Sequence, residues 1–289
     1  MSAKHPVVAI TGSSGAGTST VTRSFQHIFR REQINAVTIE GDSFHKHDRE
    51  AMKKAVADAE AAGQRPPTHF GPEANLLEEL QNLFRTYGET GGGKRRYYVH
   101  DADESQVRGV APGKFTPWED LPGGSDVLFY EGLHGGYRDD TVDVARYADL
   151  LVGVVPIVNL EWIQKIHRDG AERGYSADAT VDTIMRRMPD YIKYITPQFS
   201  RTHINFQRVA TVDTSNPFIA RDIPTPDESF VVIRFRDPKG VDFPYMLTMI
   251  PNSFMSRANT LVVPGGKMSY ALEIILAPIV HEMIENKKK

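Results

Sequence analysis

The run Gly12-Ser13-Ser14-Gly15-Ala16-Gly17-Thr18-Ser19 has the spacing of a phosphate-cradling loop, G-x-x-x-x-G-K-[ST], in every position but one. Glycines at those places let the chain turn tightly enough for several amide N–H groups to point at one anion. A helix starting directly afterwards adds its positive end to the same point. Ser19 stands where a hydroxyl ligates the magnesium that accompanies a nucleoside triphosphate. The departure is Thr18, which occupies the place of the lysine, so the cation that meets the phosphates has to come from elsewhere. Gly12 to Thr20 is read as the nucleotide-binding loop, with an ordinary glycine-rich turn as the plain alternative.

Further chemistry is found wherever a strand-like run ends. After Ala36-Val37-Thr38-Ile39 come Glu40-Gly41-Asp42-Ser43-Phe44-His45, with Arg49 a helical turn later. Phosphoryl transfer to an alcohol needs a carboxylate beside the attacking hydroxyl and little other covalent help. Asp42 is the first choice for that base, its strand being expected beside the loop strand; a helix-capping aspartate is the alternative. Glu131 follows the apolar run Val127-Leu128-Phe129-Tyr130, where an acid can hold magnesium opposite Ser19. A surface carboxylate is the bland reading. A helix after Leu151–Val155 carries Glu161, Lys165, His167, Arg168 and Asp169, with Arg173 beyond it. Lys165, Arg168 and Arg173 can supply the charge that Thr18 leaves out. Lys165 and Asp169 are also spaced for an i,i+4 salt bridge. His45 and Arg49, close after the proposed base, suit an anionic acceptor such as a sugar phosphate.

The elements that must hold these residues alternate. Val7–Thr11 reads as a strand and Thr20–Arg31 as a helix, followed by a strand at Ala36–Glu40 and a helix over Asp48–Ala62. Asn75–Tyr87 carries Leu76, Leu77, Leu80, Leu83, Phe84 and Tyr87 at helical spacing, a packing face. Residues 88–93 and 111–124, rich in glycine and proline, read as loops. Uninterrupted apolar runs at 127–130 and 151–155 are those of strands buried on both faces. Strands separated by helices give an α/β fold with a doubly wound, mainly parallel sheet, whose ligands gather at the carboxyl ends of the strands. Beyond about residue 205, Val231–Arg236 and Leu261–Val263 are strands with less helix between them, and are expected to extend the same sheet antiparallel. Leu272, Ile275, Leu276, Ile279, Val280, Met283 and Ile284 form one face of a covering helix that contains Pro278. The expectation is a single domain over 1–289, with a nucleotide and substrate core to about 205 and a sheet extension from about 206.

Composition narrows the class. The chain has 289 residues, 40% of them hydrophobic and 25% charged, as expected of an ordinary globular protein. A formal net charge of −3 lacks the basic footprint of a nucleic-acid binder. No apolar run reaches the roughly 20 residues of a membrane span. No signal-peptide core precedes the first strand, so a cytoplasmic protein is expected. Cysteine is absent, which excludes disulfides, thiolate metal sites and thiol switching.

Taken in order, G-S-S-G-A-G-T-S, E-G-D-S-F-H, Y-E-G-L-H, I-Q-K-I-H-R-D and N-P-F-I-A-R-D-I-P-T-P-D-E-S resemble the phosphoribulokinase family in its bacterial form, over essentially the whole chain. The resemblance makes Thr18 expected, since that family tolerates loss of the loop lysine. It implies transfer of the ATP γ-phosphate to ribulose 5-phosphate with Mg2+. Asp42 is then the base and Glu131 a metal ligand. His45, Arg49, Lys165, Arg168 and Arg173 become sugar-phosphate or transition-state contacts, and Asp169 a second candidate for a catalytic carboxylate. Bacterial relatives are oligomers, typically octamers, activated by NADH and inhibited by AMP. A phosphate-bearing effector needs arginines outside the catalytic rim, and Arg31, Arg234 and Arg257 are the candidates, with Arg236 sharing the Arg234 face. The disulfide switching of plant-type relatives is excluded by the lack of cysteine. Uridine kinase and pantothenate kinase share the layout and are the nearest competitors. A nucleotide switch would need an N-K-x-D motif, which is absent, and a non-catalytic phosphate-binding module would not need both Asp42 and Glu131.

Overall fold

The computed structural model describes residues 4–13, 17–220 and 222–287, with side chains except those of Glu172 and Arg173. Strand β1 (Val7–Thr11) is buried at every position and delivers the chain to Gly12. Gly17 precedes helix α1 (Thr18–Arg31) with φ 97°, a left-handed backbone that favours glycine. Helix α1 buries Val21, Phe25, Ile28 and Phe29, one apolar stripe. Strand β2 (Ala36–Glu40) ends in a 3-10 turn, Gly41–Phe44. Helix α2 (Arg49–Ala61) is capped by Asp48, whose carboxylate accepts from the Ala51 N–H at 2.8 Å.

Helix α3 (Leu77–Thr90) buries the expected stripe but is displaced along the chain. It starts after Leu76 because the Leu76 N–H donates to the Phe44 carbonyl and Asn75 forms a β-bridge with His45. It ends where Gly91 turns left-handed. Between the two expected loops, where no element was expected, lie strand β3 (Lys94–Arg95) and helix α4 (Ala102–Arg108). The expected loop 111–124 contains strand β4 (Glu119–Asp120), which pairs antiparallel with β3. Strands β5 (Val127–Gly132) and β6 (Leu150–Val155) follow. Helix α5 (Val158–Arg173) takes in Arg173, which was expected beyond it, and leads to α6 (Ala177–Asp190). The last third holds β7 (Ile204–Ala210), β8 (Ser229–Phe235), α7 (Phe243–Met249), β9 (Phe254–Arg257), β10 (Thr260–Pro264) and α8 (Met268–Lys287). Among the described residues no helix is long and apolar enough to cross a membrane.

Eight strands form one sheet in the order β2-β5-β1-β6-β7-β8-β10-β9. The first five are parallel, and β8, β10 and β9 extend the sheet antiparallel, as expected. One expectation is corrected. Strand β2 is not the neighbour of β1, because β5 lies between them. The reason is burial: Val127–Tyr130 is buried on both faces and belongs inside the sheet, whereas Ala36–Glu40 alternates buried and exposed and takes the edge. The register still brings the acids together, with Glu131 opposite both Ile10 and Glu40.

Each sheet face has its own apolar cluster. Val8, Ile10, Phe129, Val231 and Ile233 pack with α1 and α8 through Phe25, Leu272 and Ile275. Val7, Ala9, Ile39 and Tyr130 pack with α3 through Leu80 and Phe84 on the other face.

Candidate active site

The carboxyl ends of β1, β2 and β5 open into a cavity of about 500 Å3. It is lined by Gly12, Gly17, Thr18, Ser19, Glu40, Asp42, Glu131 and Arg168, with His100, Glu104 and Gln164. The proposed loop, base, metal ligand and one cation therefore share a single space. Ser14, Gly15 and Ala16 lie outside the described residues, as does the Arg173 side chain. Close packing of two glycines builds the floor: a Cβ on Gly41 would stand 2.7 Å from the Gly132 Cα. Only glycine at both places lets the Asp42 turn sit against the end of β5.

Thr18 is buried, and its hydroxyl hydrogen-bonds to the Glu131 carboxylate. Burial pushes the Glu131 carboxyl up, the Thr18 bond offsets part of this, and the charges of Asp42 and Glu40 add to the rise. Four carboxylates, Glu40, Asp42, Glu104 and Glu131, thus face His100 and Arg168 across one cavity. Such a site calls for a cation, and Ser19 with Glu131 is the pair suited to a magnesium ion.

Asp42 is held from several sides. His45 Nε2 lies 3.2 Å from Asp42 Oδ1 and His100 Nε2 lies 3.9 Å from Oδ2. Desolvation pushes the Asp42 carboxyl up, but the His45 hydrogen bond and the charges of His45, His100 and His69 outweigh it, leaving the group well below the usual carboxylate range. The turn itself is clamped by Arg96, which donates to the Ser43 carbonyl at 2.8 Å and to the His45 carbonyl at 2.6 Å. The Arg96 guanidinium lies 3.7 Å from the Phe115 ring centroid, so it is fixed from behind. His45 is buried with both ring nitrogens engaged, Nε2 on Asp42 and Nδ1 on Asn75 Oδ1 at 2.8 Å. Arg49 donates to the His100 carbonyl at 2.9 Å and, of the described residues, is not among those lining the cavity.

On α5, Lys165 Nζ meets Asp169 Oδ2 at 2.5 Å, and Arg168 reaches Asp169 Oδ1 at 3.1 Å. The i,i+4 pair therefore exists, in a largely buried setting, and Asp169 is bracketed by two cations. Glu161, one turn earlier, accepts from the Ser13 hydroxyl and from Tyr191 Oη, the latter at 3.1 Å. This ties the phosphate loop to the helix that carries Lys165 and Arg168. Burial raises the Glu161 carboxyl to about 7, against the lowering effects of those hydrogen bonds and of the Lys165 and Arg168 charges. A carboxyl raised by folding contributes most below its unfolded range and loses that contribution as pH rises toward the folded value. Glu161→Gln should therefore gain thermal stability over the unmodified protein between about pH 5 and about pH 8, reaching about 2 kcal/mol, or several degrees. A difference that stays flat over that range would show that Glu161 is not the titrating group.

A second cavity, of about 590 Å3, opens on the other side of the loop. Gly17 and Gln164 line both cavities. Thr20, Arg23, Phe206, Arg208, Gly265 and Met268 line the second, so β7 and the start of α8 help to form it. Arg31 is paired with Glu273 of α8 at 2.8 Å. Arg234 and Arg257 stand opposite Thr260 from either side, on β8 and β9. Ile233 and Phe235 face α1 and α8, so Arg234 between them projects from the other face and the sheet separates it from Arg31.

Several residues here escaped the sequence reading: Asn75, Arg96, His100, Glu104, Gln164 and Arg208. The basic and aromatic run Lys94–His100 was a usable signal for two of them. Asn75 and Gln164 had none, because their role comes from long-range contacts.

Residues 7–215 match the phosphoribulokinase / uridine kinase family. Over its whole length the chain is 61% identical to the chromosomal phosphoribulokinase of Cupriavidus necator, 99% of which is covered. It is 60% identical to the phosphoribulokinase of Nitrobacter vulgaris, with 99% of each chain covered. The solved structure of phosphoribulokinase from Rhodobacter spheroides is similar with a TM-score of 0.91 and 55% identity, covering 100% of both chains. On sequence and structure alike, this chain belongs to the phosphoribulokinase / uridine kinase family.

Proposed function

We infer that this chain transfers the γ-phosphoryl group of ATP to ribulose 5-phosphate, giving ribulose 1,5-bisphosphate and ADP, the step of the Calvin cycle that prepares the carbon-fixation acceptor. The observation that carries the reading is likeness over the full length to proteins named phosphoribulokinase, the C-terminal sheet extension included. The geometry supports it. Two cavities meet at Gly17 and Gln164, one suited to the nucleoside and the other, lined by Asp42 and Glu131, to the acceptor.

In this mechanism the acceptor hydroxyl attacks the γ-phosphorus in line, the bond to the ADP oxygen breaks, and the hydroxyl proton passes to Asp42. Ser19 and Glu131 would hold magnesium, which when bound neutralises charge on the phosphates. Gly12 to Thr20 cradles the triphosphate. Arg168 is the cation at the cavity wall, with Lys165 and Arg173 on the same helix completing the charge that Thr18 omits. Arg49 and Arg173 are assigned to the sugar phosphate. His45, expected there too, has both ring nitrogens engaged by Asp42 and Asn75 and is assigned instead to holding Asp42. Asp169 remains the second candidate for the catalytic carboxylate. From the family resemblance we add a cytoplasmic homo-octamer activated by NADH and inhibited by AMP. Arg234 and Arg257 are assigned to one effector site, and Arg31, on the other face of the sheet, to a separate one.

The test is ATP consumption with ribulose 5-phosphate, uridine and pantothenate offered in turn. Turnover on ribulose 5-phosphate alone is expected. Preference for uridine or pantothenate would reassign the acceptor cavity, and no consumption with any of them would favour a non-catalytic nucleotide binder.

A further inference from the structure

Asn75 lies in the turn before α3 and is buried, yet nothing in the sequence marks it for chemistry. Its amide orientation is settled by its neighbours. Nδ2 donates to the His69 carbonyl at 2.9 Å and to the Gly71 carbonyl at 2.6 Å. Carbonyls only accept, so the amide nitrogen must be the atom that faces them. Oδ1 is thereby turned to His45 Nδ1, 2.8 Å away, and can only accept from it. His45 Nδ1 therefore carries a hydrogen.

The consequence reaches Asp42. His45 Nε2 stands 3.2 Å from Asp42 Oδ1. A bare Nε2 would aim a lone pair at a carboxylate, which is repulsive, so this contact needs a hydrogen on Nε2 as well. The ring is then a donor on both sides, with one hydrogen committed to Asn75 and the other to Asp42. The flanking imidazoles do not compete for this charge. His69, whose ring centroid is 4.0 Å from that of His45, is held down to about 3, by burial first and by the His45 charge second. His134 is held down to about 4 by burial. Asp42 Oδ1 is engaged by His45, and Oδ2, with His100 Nε2 3.9 Å away, is the oxygen that faces the cavity.

We propose that Asn75 is a positioning residue for phosphoryl transfer: by locking the His45 ring as a two-sided donor, it fixes the Asp42 carboxylate with Oδ2 presented to the acceptor hydroxyl. It touches neither substrate and acts through His45. The logic is that of a base held in one geometry by a partner whose own hydrogens are assigned by a third group. The proposal rests on Asp42 being the base, and its test separates the two.

The full-length protein labelled with 15N-histidine, without substrate, reads the ring directly. His45 signals are those lost in His45→Gln. Hydrogens on both His45 nitrogens are expected, and a bare nitrogen on either side of the ring in the unmodified protein overturns the proposal whether or not any variant folds. This readout does not depend on catalysis, so it stands even if Asp42→Asn proves active. A double-mutant cycle supplies the second arm. Asn75→Leu should lower kcat about tenfold or more while KM for ATP stays within about twofold, and in a His45→Gln background it should change kcat by less than about twofold. Losses that multiply in the double variant would show a general structural role and overturn the assignment.

Discussion

Asp42→Asn lowers turnover by at least about a hundredfold, the usual scale for loss of a positioned general base. The apparent constant for ribulose 5-phosphate moves far less, because a base acts chiefly in the transition state. The surroundings make this substitution more severe than loss of charge alone. His45 presents a donor to Oδ1 at 3.2 Å, so the new amide must turn its oxygen toward His45. Its NH2 group then faces the cavity, where an acceptor for the hydroxyl proton is required. The position changes from base to donor without any change of shape. Steady-state kinetics with both substrates varied will check this. Turnover within about tenfold of the unmodified protein would remove Asp42 from the chemistry and direct attention to Asp169.

Glu131→Gln is expected to act through the metal. Half-saturating Mg2+ should rise at least about tenfold, with turnover at ordinary Mg2+ falling by a hundredfold or so. Stability should move the other way. The Glu131 carboxyl is pushed up by burial and by the charges of Asp42 and Glu40, so its ionised form is disfavoured in the fold. A raised carboxyl loses its stabilising contribution as pH rises, and a neutral amide escapes that loss. The thermal midpoint near pH 8 should therefore hold or rise while activity collapses. A magnesium titration beside a melting curve separates the two effects. An unchanged Mg2+ requirement would leave Glu131 as no more than the hydrogen-bond partner of Thr18.

The elements of the core were legible because local pattern and burial agree there. Val7–Ile10 and Val127–Tyr130 are apolar without interruption, and buried strands have no solvent face to record as alternation. The stripe in α3 was legible too, but its start was not. The backbone of Leu76 is taken by Phe44, a pairing between segments that no local propensity encodes. The ribbon of β3 and β4 was missed for a similar reason. Strands of two residues carry no periodicity.

Residue type and spacing alone marked the candidate phosphate loop, the acid at the end of β5, the acidic turn after β2 and the cationic helix. These are local devices: a turn that needs glycine, a hydroxyl at the start of a helix, a carboxylate at a strand end. Absence of cysteine likewise excluded thiol control without any structure. Only the tertiary structure decided which strand separates β2 from β1, and that Lys165 and Asp169 form a largely buried pair. It alone placed Thr18 on Glu131, and it alone joined Asn75, His45 and Asp42 into one chain. Such contacts depend on distances between segments far apart in sequence, and hydrogen-bond roles are assigned only once each donor has met its acceptor.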